Sequence, residues 1–256
     1  LKIVLYPLFN KIFTTSDDDK IHLINDLHIP AEKVFVTGDS KYDSVLERSL
    51  SQVENIKYLR ADFEALYGQK TRFIIGSAWM EDIAIAAPAI KSCLENHEFI
   101  TIAAPHRINE LHIKEISEQF HTHGLTVTRY SERHHPSSEK HPNVIILDTM
   151  GQLSEMYGIS NFAIVGGANH YQVHNVLEPA AHNLPLTFGP LYKNSHEAVH
   201  MVEHQLVKPV STSEELVIWL ENKLENSAVN LSKGTNTYIK DLAGASQKIL
   251  ELTSDN

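Results

Sequence analysis

Phe99-Ile100-Thr101-Ile102-Ala103-Ala104 is an almost unbroken apolar run that stops at Pro105, and it is one of a series. Val34-Phe35-Val36-Thr37 ends at Gly38, Phe73-Ile74-Ile75 at Gly76-Ser77, Val144-Ile145-Ile146-Leu147 at Asp148, Phe162-Ala163-Ile164-Val165 at Gly166-Gly167, and the run from Leu184 to Phe188 at Gly189-Pro190. Short runs of this kind, closed by turn residues, suit parallel strands buried on both faces. Ile12-Phe13-Thr14-Thr15 and Leu125 to Tyr130 read as two further strands. Helical spacing fills the intervals: 46–67 in pieces, 81–95, 108–123 with Gly124 as its stop, 150–157, 196–204 and 235–252. Ser16-Asp17-Asp18-Asp19 caps another helix with acids in its first turn, and Ser211-Thr212-Ser213-Glu214 opens one as a capping box. Residues 131–142, with two prolines and three histidines, read as a surface loop. The alternation predicts an α/β fold: a Rossmann-like parallel sheet with right-handed crossovers and helices on both faces.

Such sheets bind ligands beyond the carboxyl ends of their strands. The segments to watch are therefore Gly38-Asp39, Gly76-Ser77, Pro105-His106-Arg107, Asp148-Thr149-Met150-Gly151 and Gly166-Gly167. Composition narrows what they serve. With 22 Lys and Arg against 32 Asp and Glu, the net charge is −10, which excludes nonspecific nucleic-acid binding as the main role. The lone Cys93 excludes an intramolecular disulfide and fits packed core on a helix. No stretch reaches the roughly 18 apolar residues a membrane span needs, and Leu1 to Leu8 lacks the basic start and long apolar core of a signal peptide. A chain opening at Leu1 reads as processed or as a segment of a longer protein.

The richest stretch runs from Gly166 to Ala180: a strand ends at two glycines and a helix begins near His174-Asn175. Free N–H groups at a helix start attract anions, and glycines admit a phosphate to the backbone. Glu178, about one turn on, can accept two hydrogen bonds from a ribose diol. An ordinary strand–turn–helix with an acidic first turn fits the same residues. A competing pattern is His196-Glu197-Ala198-Val199-His200, the H-E-x-x-H string of zinc peptidases, with His204 on the same helical face. Metal-assisted hydrolysis with Glu197 as base is one reading. A chance match in a chain with 16 histidines is the other, and it is favoured because no third ligand follows in the usual context. His121, His123, His134, His135 and His141 read as solvated side chains. Trp79 suits either a base-stacking ring or core.

Five blocks taken together resemble the 3-deoxy-D-manno-octulosonic acid (Kdo) transferases of lipopolysaccharide synthesis. They are Val36-Thr37-Gly38-Asp39-Ser40-Lys41-Tyr42-Asp43, Gly76-Ser77-Ala78-Trp79 with Glu81-Asp82, Ala104-Pro105-His106, Asp148-Thr149-Met150-Gly151-Gln152-Leu153 with Tyr157, and Val165-Gly166-Gly167 with His174-Asn175-Val176-Leu177-Glu178-Pro179-Ala180-Ala181 and Phe188-Gly189-Pro190. The blocks keep the family's order across residues 34 to 190. The resemblance implies a two-lobed GT-B glycosyltransferase, of which this chain matches the C-terminal, donor-binding lobe and the end of the N-terminal one. It implies transfer of Kdo from CMP-Kdo to lipid A precursor at the cytoplasmic face of the inner membrane, without cofactor or catalytic metal. The general base then belongs to the N-terminal lobe, outside this chain, and membrane attachment to the full-length protein. The implied organisation is 1–30 as the end of the N-terminal lobe, 31–230 as the donor domain and 231–256 as a C-terminal helix.

The same resemblance assigns roles. Pro105 and His106 lie near CMP. Met150, Gly151 and Gln152 present backbone to the cytosine. Asn175, Val176, Leu177 and Glu178, after His174, hold phosphate and ribose. Arg107 and Lys41 face donor charge, and Ser77 belongs to the Gly-Ser block. The chain departs from the family pattern in three places: loop 168–173 has no glycine where many members carry several, Gln152 stands for the common Glu, and His106 for the common Arg. A UDP-sugar donor on the same fold is the alternative.

Overall fold

Thr71–Ala78 (β3) and Phe99–Pro105 (β4) are the longest strands, and they pair in parallel at the middle of a six-stranded sheet. A computed structural model of the chain describes residues 5–135, 139, 141–226 and 235–254. Two compact units divide it: Leu1–Arg48 with Thr237–Asn256, and Ser49–Asn236. These limits differ from the sequence-based 1–30, 31–230 and 231–256.

The larger unit carries the sheet. Val127–Arg129 (β5), Val144–Ile146 (β6), Phe162–Val165 (β7) and Leu186–Phe188 (β8) complete it in the order β5-β6-β4-β3-β7-β8, every pairing parallel. Alternation along the strands explains the burial. Phe73, Ile75, Ala103, Ile146, Phe162 and Ile164 share one core with Met80–Cys93 (α4), Glu110–Thr122 (α5) and Ser213–Glu225 (α9). Ile74, Ile102, Ile145, Ala163 and Val165 point the other way and are equally buried. After Lys41–Ser51 (α2) in chain order, Val53–Tyr67 (α3) packs with Leu153–Ile159 (α6), and α6 also meets β3. Both faces are thus covered, as an all-parallel sheet demands. Cys93 lies in the core, and burial, with the Glu221 carboxylate, pushes its thiol up to about 12.

The chain leaves β3 for β4, returns through β6, and crosses to the far side of β3 to form β7. The carboxyl ends of β3 and β7 therefore flank the switch point of the sheet, where a crevice opens. Gly76 is registered with Val165 there. A bulge between Ile75 and Ala78 puts Ser77 in the left-handed region at φ 53°, a distortion common where a strand end is re-aimed toward a site.

The smaller unit holds Ile12–Thr14 (β1) paired in parallel with Val34–Val36 (β2), and Asp17–Asn25 (α1) capped by Ser16, whose hydroxyl accepts the Asp19 N–H. Leu23, Ile29 and Val34 form its small core. The expected single helix over 235–252 is two, Thr235–Leu242 (α10) and Ala245–Ser254 (α11). Gly244 breaks it at φ 110°, and the Asp43 carboxylate takes the N–H groups of Gly244 at 2.6 Å and Ser246 at 3.1 Å. Burial alone would raise the Asp43 carboxyl, but the N–H groups of Ser246, Gly244 and Ala245 hold it below its ordinary value. The capping box before α9 is also displaced by one residue. Thr212 Oγ1 accepts the Glu215 N–H and Glu215 accepts from Ser211, so the pattern runs from Thr212 to Glu215. The first four residues, part of loop 131–142 and residues 227–234 lie outside the described residues.

Candidate functional site at the switch point

Asp82, fully buried at the start of α4, ties the strand ends together. Its Oδ2 accepts the backbone N–H of Trp79 at 2.9 Å and that of Gly167 at 2.8 Å, and its Oδ1 accepts from Asn169 Nδ2 at 3.0 Å. One carboxylate thus joins the segment after β3 to the segment after β7. The glycines are required by closeness. A Cβ on Gly166 would lie 2.7 Å from Asp82 Oδ2, and one on Gly167, at φ 91°, would lie 2.3 Å from Gln172 O and 2.7 Å from His174 Cδ2. Gly76 has the same reason on the opposite side: the Tyr157 hydroxyl fills the place its Cβ would take. Burial, and then the Glu178 carboxylate, pushes the Tyr157 phenol far above its ordinary value.

Four rings converge here. Trp79 Nε1 donates to His174 Nε2 at 2.9 Å. His106 stacks on both, at 4.5 Å from each ring centre and 20° and 19° from parallel. His170 stacks on Trp79 at 4.2 Å and 14°, while its Nδ1 lies 2.8 Å from Glu81 Oε1. The Arg107 guanidinium lies 5.4 Å from the indole centre. Burial, then the neighbouring His174, Arg107, His112 and His170, holds the His106 imidazole below its ordinary value; burial does the same to His174 against the pull of Asp82. Both shifts favour the neutral imidazole over the imidazolium.

The glycine-free loop is a tight turn. His170 and Tyr171 both donate their N–H to Gly167 O, and Ala168 is buried with its carbonyl accepting from Leu191. The following helix, Leu177–Ala181 (α7), begins three residues later than its predicted start near His174 and is a single turn, with Glu178 in it. Asn175 Oδ1 takes the Leu177 N–H at 3.0 Å, so one donor expected to await an anion is already engaged.

The structure therefore brings together Ser77, Pro105, His106, Arg107 and His174 at the ends of β3, β4 and β7, with Asn175, Val176, Leu177 and Glu178 directly after them. Val176 and Leu177 are buried and Glu178 is half-buried. Met150, Gly151 and Gln152 form a second group beyond β6. Met150 is 86% exposed, Gly151 sits at φ 83°, and Gln152 accepts from the Thr149 hydroxyl. Lys41 belongs to the smaller unit, where its ammonium lies 3.5 Å from Asp39. Asp82 and His170 were not singled out as site residues. An Asp at the third position of a helix that starts at a strand end is the signal that points to Asp82; His170 has none.

The H-E-x-x-H string lies on His196–Glu203 (α8). Glu197 accepts from the Ser195 hydroxyl at 2.7 Å, and His200 stacks on His204 with ring centres 3.8 Å apart. Among the described residues no group of three or more His, Cys, Asp or Glu side chains is placed to hold a metal ion. No helix among them is long and apolar enough to cross a membrane.

No family model matches the chain. It is 27% identical over 229 residues to a 3-deoxy-D-manno-octulosonic acid transferase of Chlamydia trachomatis serovar A, which covers 88% of this chain and 51% of that protein. It is 27% identical over 246 residues to a bifunctional glycosyltransferase/methyltransferase of Fusobacterium nucleatum, covering 94% of this chain and 37% of that one. Among solved structures, the C-terminal CMP-Kdo binding domain of WaaA from Acinetobacter baumannii matches with a TM-score of 0.58 at 22% identity, over 77% of this chain and 99% of that domain. The chain spans about half the length of the Chlamydia relative. It is a homologue of the 3-deoxy-D-manno-octulosonic acid transferases over most of its length, with the Rossmann-like α/β architecture of the GT-B glycosyltransferases.

Proposed function

We propose that the chain is the donor-binding part of a glycosyltransferase that moves Kdo from CMP-Kdo to lipid A precursor at the cytoplasmic face of the inner membrane. The observation that carries this reading is the convergence of three family blocks on the switch point. Gly76–Asp82 and Gly166–Glu178 are joined there by the Asp82 carboxylate and the Trp79–His174 hydrogen bond, and Ala104–His106 joins them through the His106 N–H on Ala78 O at 2.9 Å and the stacking of its ring.

In this reading Glu178 accepts the ribose hydroxyls, and the segment from His174 to Leu177 lies along the phosphate. The backbone of Met150 to Gln152 meets the cytosine. The acceptor hydroxyl attacks the anomeric carbon of Kdo from the face opposite the nucleotide, with inversion. The bond from that carbon to the phosphate oxygen breaks, and its electron pair leaves with CMP. Charge grows on the departing phosphate, and the Arg107 guanidinium is the group of the cluster suited to stabilise it. The carboxylate that takes the acceptor proton comes from the other half of the full-length enzyme, as does contact with the membrane. No step needs a metal ion or cofactor. Lys41, in the smaller unit, is proposed to face donor charge only by the family resemblance.

Calorimetric titration with CMP, with UMP and UDP as controls, tests this. CMP is expected to bind, and Glu178→Ala to weaken it by about 10- to 100-fold, the scale of one or two hydrogen bonds to a charged group. Tighter binding of UDP than of CMP would keep the fold and move the donor to a UDP-sugar.

A further inference from the structure

We propose that Trp79 is a positioning residue that fixes the tautomer of His174, so that His174 offers Nδ1–H as a hydrogen-bond donor to the anionic part of the bound nucleotide sugar. The proposal rests on the donor-site reading above and names a residue whose own contact with the ligand is not required.

An indole nitrogen is a donor only. Trp79 Nε1 lies 2.9 Å from His174 Nε2, so that nitrogen must offer its lone pair. A neutral imidazole accepting at Nε2 carries its proton on Nδ1. The imidazolium carries a proton on both nitrogens and has no lone pair for the indole, so protonation breaks the bond. Burial favours the neutral form in the same direction.

Packing holds the pair in register. His106 lies nearly parallel to both rings at 4.5 Å, a lid across the indole–imidazole bond. His170 stacks on the indole at 4.2 Å and is itself held by Glu81 at 2.8 Å. The Trp79 backbone is anchored at 2.9 Å by Asp82, which also holds Gly167 beneath His174. The edge of His174 nearest Gly167 is the Cδ2–Nε2 edge, within 2.7 and 3.0 Å of where a Cβ would sit. Nδ1 lies across the ring from that edge, and His174 directly precedes Asn175 and the residues proposed for phosphate and ribose. Among the described residues none accepts a hydrogen bond from Nδ1. The titratable groups beside this ring are Asp82 from α4 and His106 after β4; Arg107 and His170 lie against Trp79, and Glu81 against His170.

The test reads the ring nitrogens directly. Long-range nitrogen–proton spectra of the full chain at pH 7.5, with and without CMP, are expected to show His174 protonated at Nδ1 and unprotonated at Nε2. Trp79→Phe keeps an aromatic ring for the stack but has no N–H. It is expected to give His174 a mixture of tautomers, raise its pKa and weaken CMP about tenfold, the scale of one hydrogen bond. Adding His174→Asn to Trp79→Phe places an amide N–H near the Nδ1 position whatever the indole does, and is expected to recover most of the lost affinity; a merely structural Trp79 would give no such rescue. His174 protonated at Nε2, or Trp79→Phe without effect on the ring nitrogens and on CMP affinity, overturns the proposal and leaves the donor site standing. A correct tautomer in a chain that binds no CMP removes both the donor reading and the role assigned to the N–H.

Discussion

Two regions of this molecule are rich in histidine, and they are built in opposite ways. His196 and His200 on α8 and His204 at its C-terminal cap follow one another at helical spacing, so their shared face is a property of a few consecutive residues. The structure gives that face a ring contact between His200 and His204 and a glutamate engaged with Ser195. At the switch point, His106 comes from the segment after β4, His170 and His174 from the segment after β7, and the tryptophan they meet from the segment after β3. His106 and His170 stack on that tryptophan, His174 accepts its indole N–H, and the fully buried Asp82 carboxylate joins the segments after β3 and β7. A short motif marks residues that share a helix face; a site needs side chains from different elements brought to hydrogen-bond distance.

The largest way to break the comparison is through Asp82. Asp82→Ala strips three hydrogen bonds from a buried carboxylate. It should cost about 3–5 kcal/mol in urea denaturation, because the Gly167 N–H is left buried and unpaired and that of Trp79 loses its partner. Gly167→Ala should cost about 1–3 kcal/mol or more by the same measurement, since its Cβ meets Gln172 O and His174 while φ stays at 91°. CMP affinity should fall with it in calorimetry. A small effect of either change would mean that the strand ends are held by something other than this network.

A pH series sharpens the contrast next. His106, His174, His182 and His200 all have imidazoles held below their ordinary value, each chiefly by burial. The folded chain therefore binds fewer protons than the unfolded chain below the ordinary imidazole pKa of about 6.5. Stability should fall as the pH drops through that value and level off only below the folded-state pKa values. Urea midpoints from pH 8 to pH 5 measure it, and His174→Asn should remove part of the slope.

The smallest effect is expected on α8. His196→Ala should change stability by no more than about 0.5 kcal/mol, the usual size for an exposed position, and leave CMP affinity unchanged. Stoichiometric zinc binding that disappears in this variant would instead give the motif a role of its own.

Much of the sheet was legible because strands buried on both faces need continuous apolar runs, and such runs are local. Phe99 to Pro105 and Phe162 to Val165 are strands as read, and β3 extends beyond its apolar run to Ala78. Errors fell where a distant residue decides a local conformation. The terminal helix breaks at Gly244, whose N–H is taken by Asp43 from the other end of the sequence. The single-turn helix after His174 starts late because Asn175 turns its side chain onto Leu177. The capping box slid by one residue because Thr212 and Ser211 offer the same chemistry in neighbouring positions.

By itself the sequence determined the class of fold, the strand ends where a ligand would sit, and a similarity to Kdo transferases carried by ordered blocks. Periodicity and turn chemistry are written in neighbouring residues, and blocks keep their order whatever the chain does in space. Only the tertiary structure decided that Asp82 bridges the ends of β3 and β7, that Lys41 belongs to a different compact unit, and that His174 meets an indole N–H. Those facts depend on hydrogen bonds near 3 Å between segments far apart in the chain, and a distance of that size exists only once the sheet has placed its strand ends side by side.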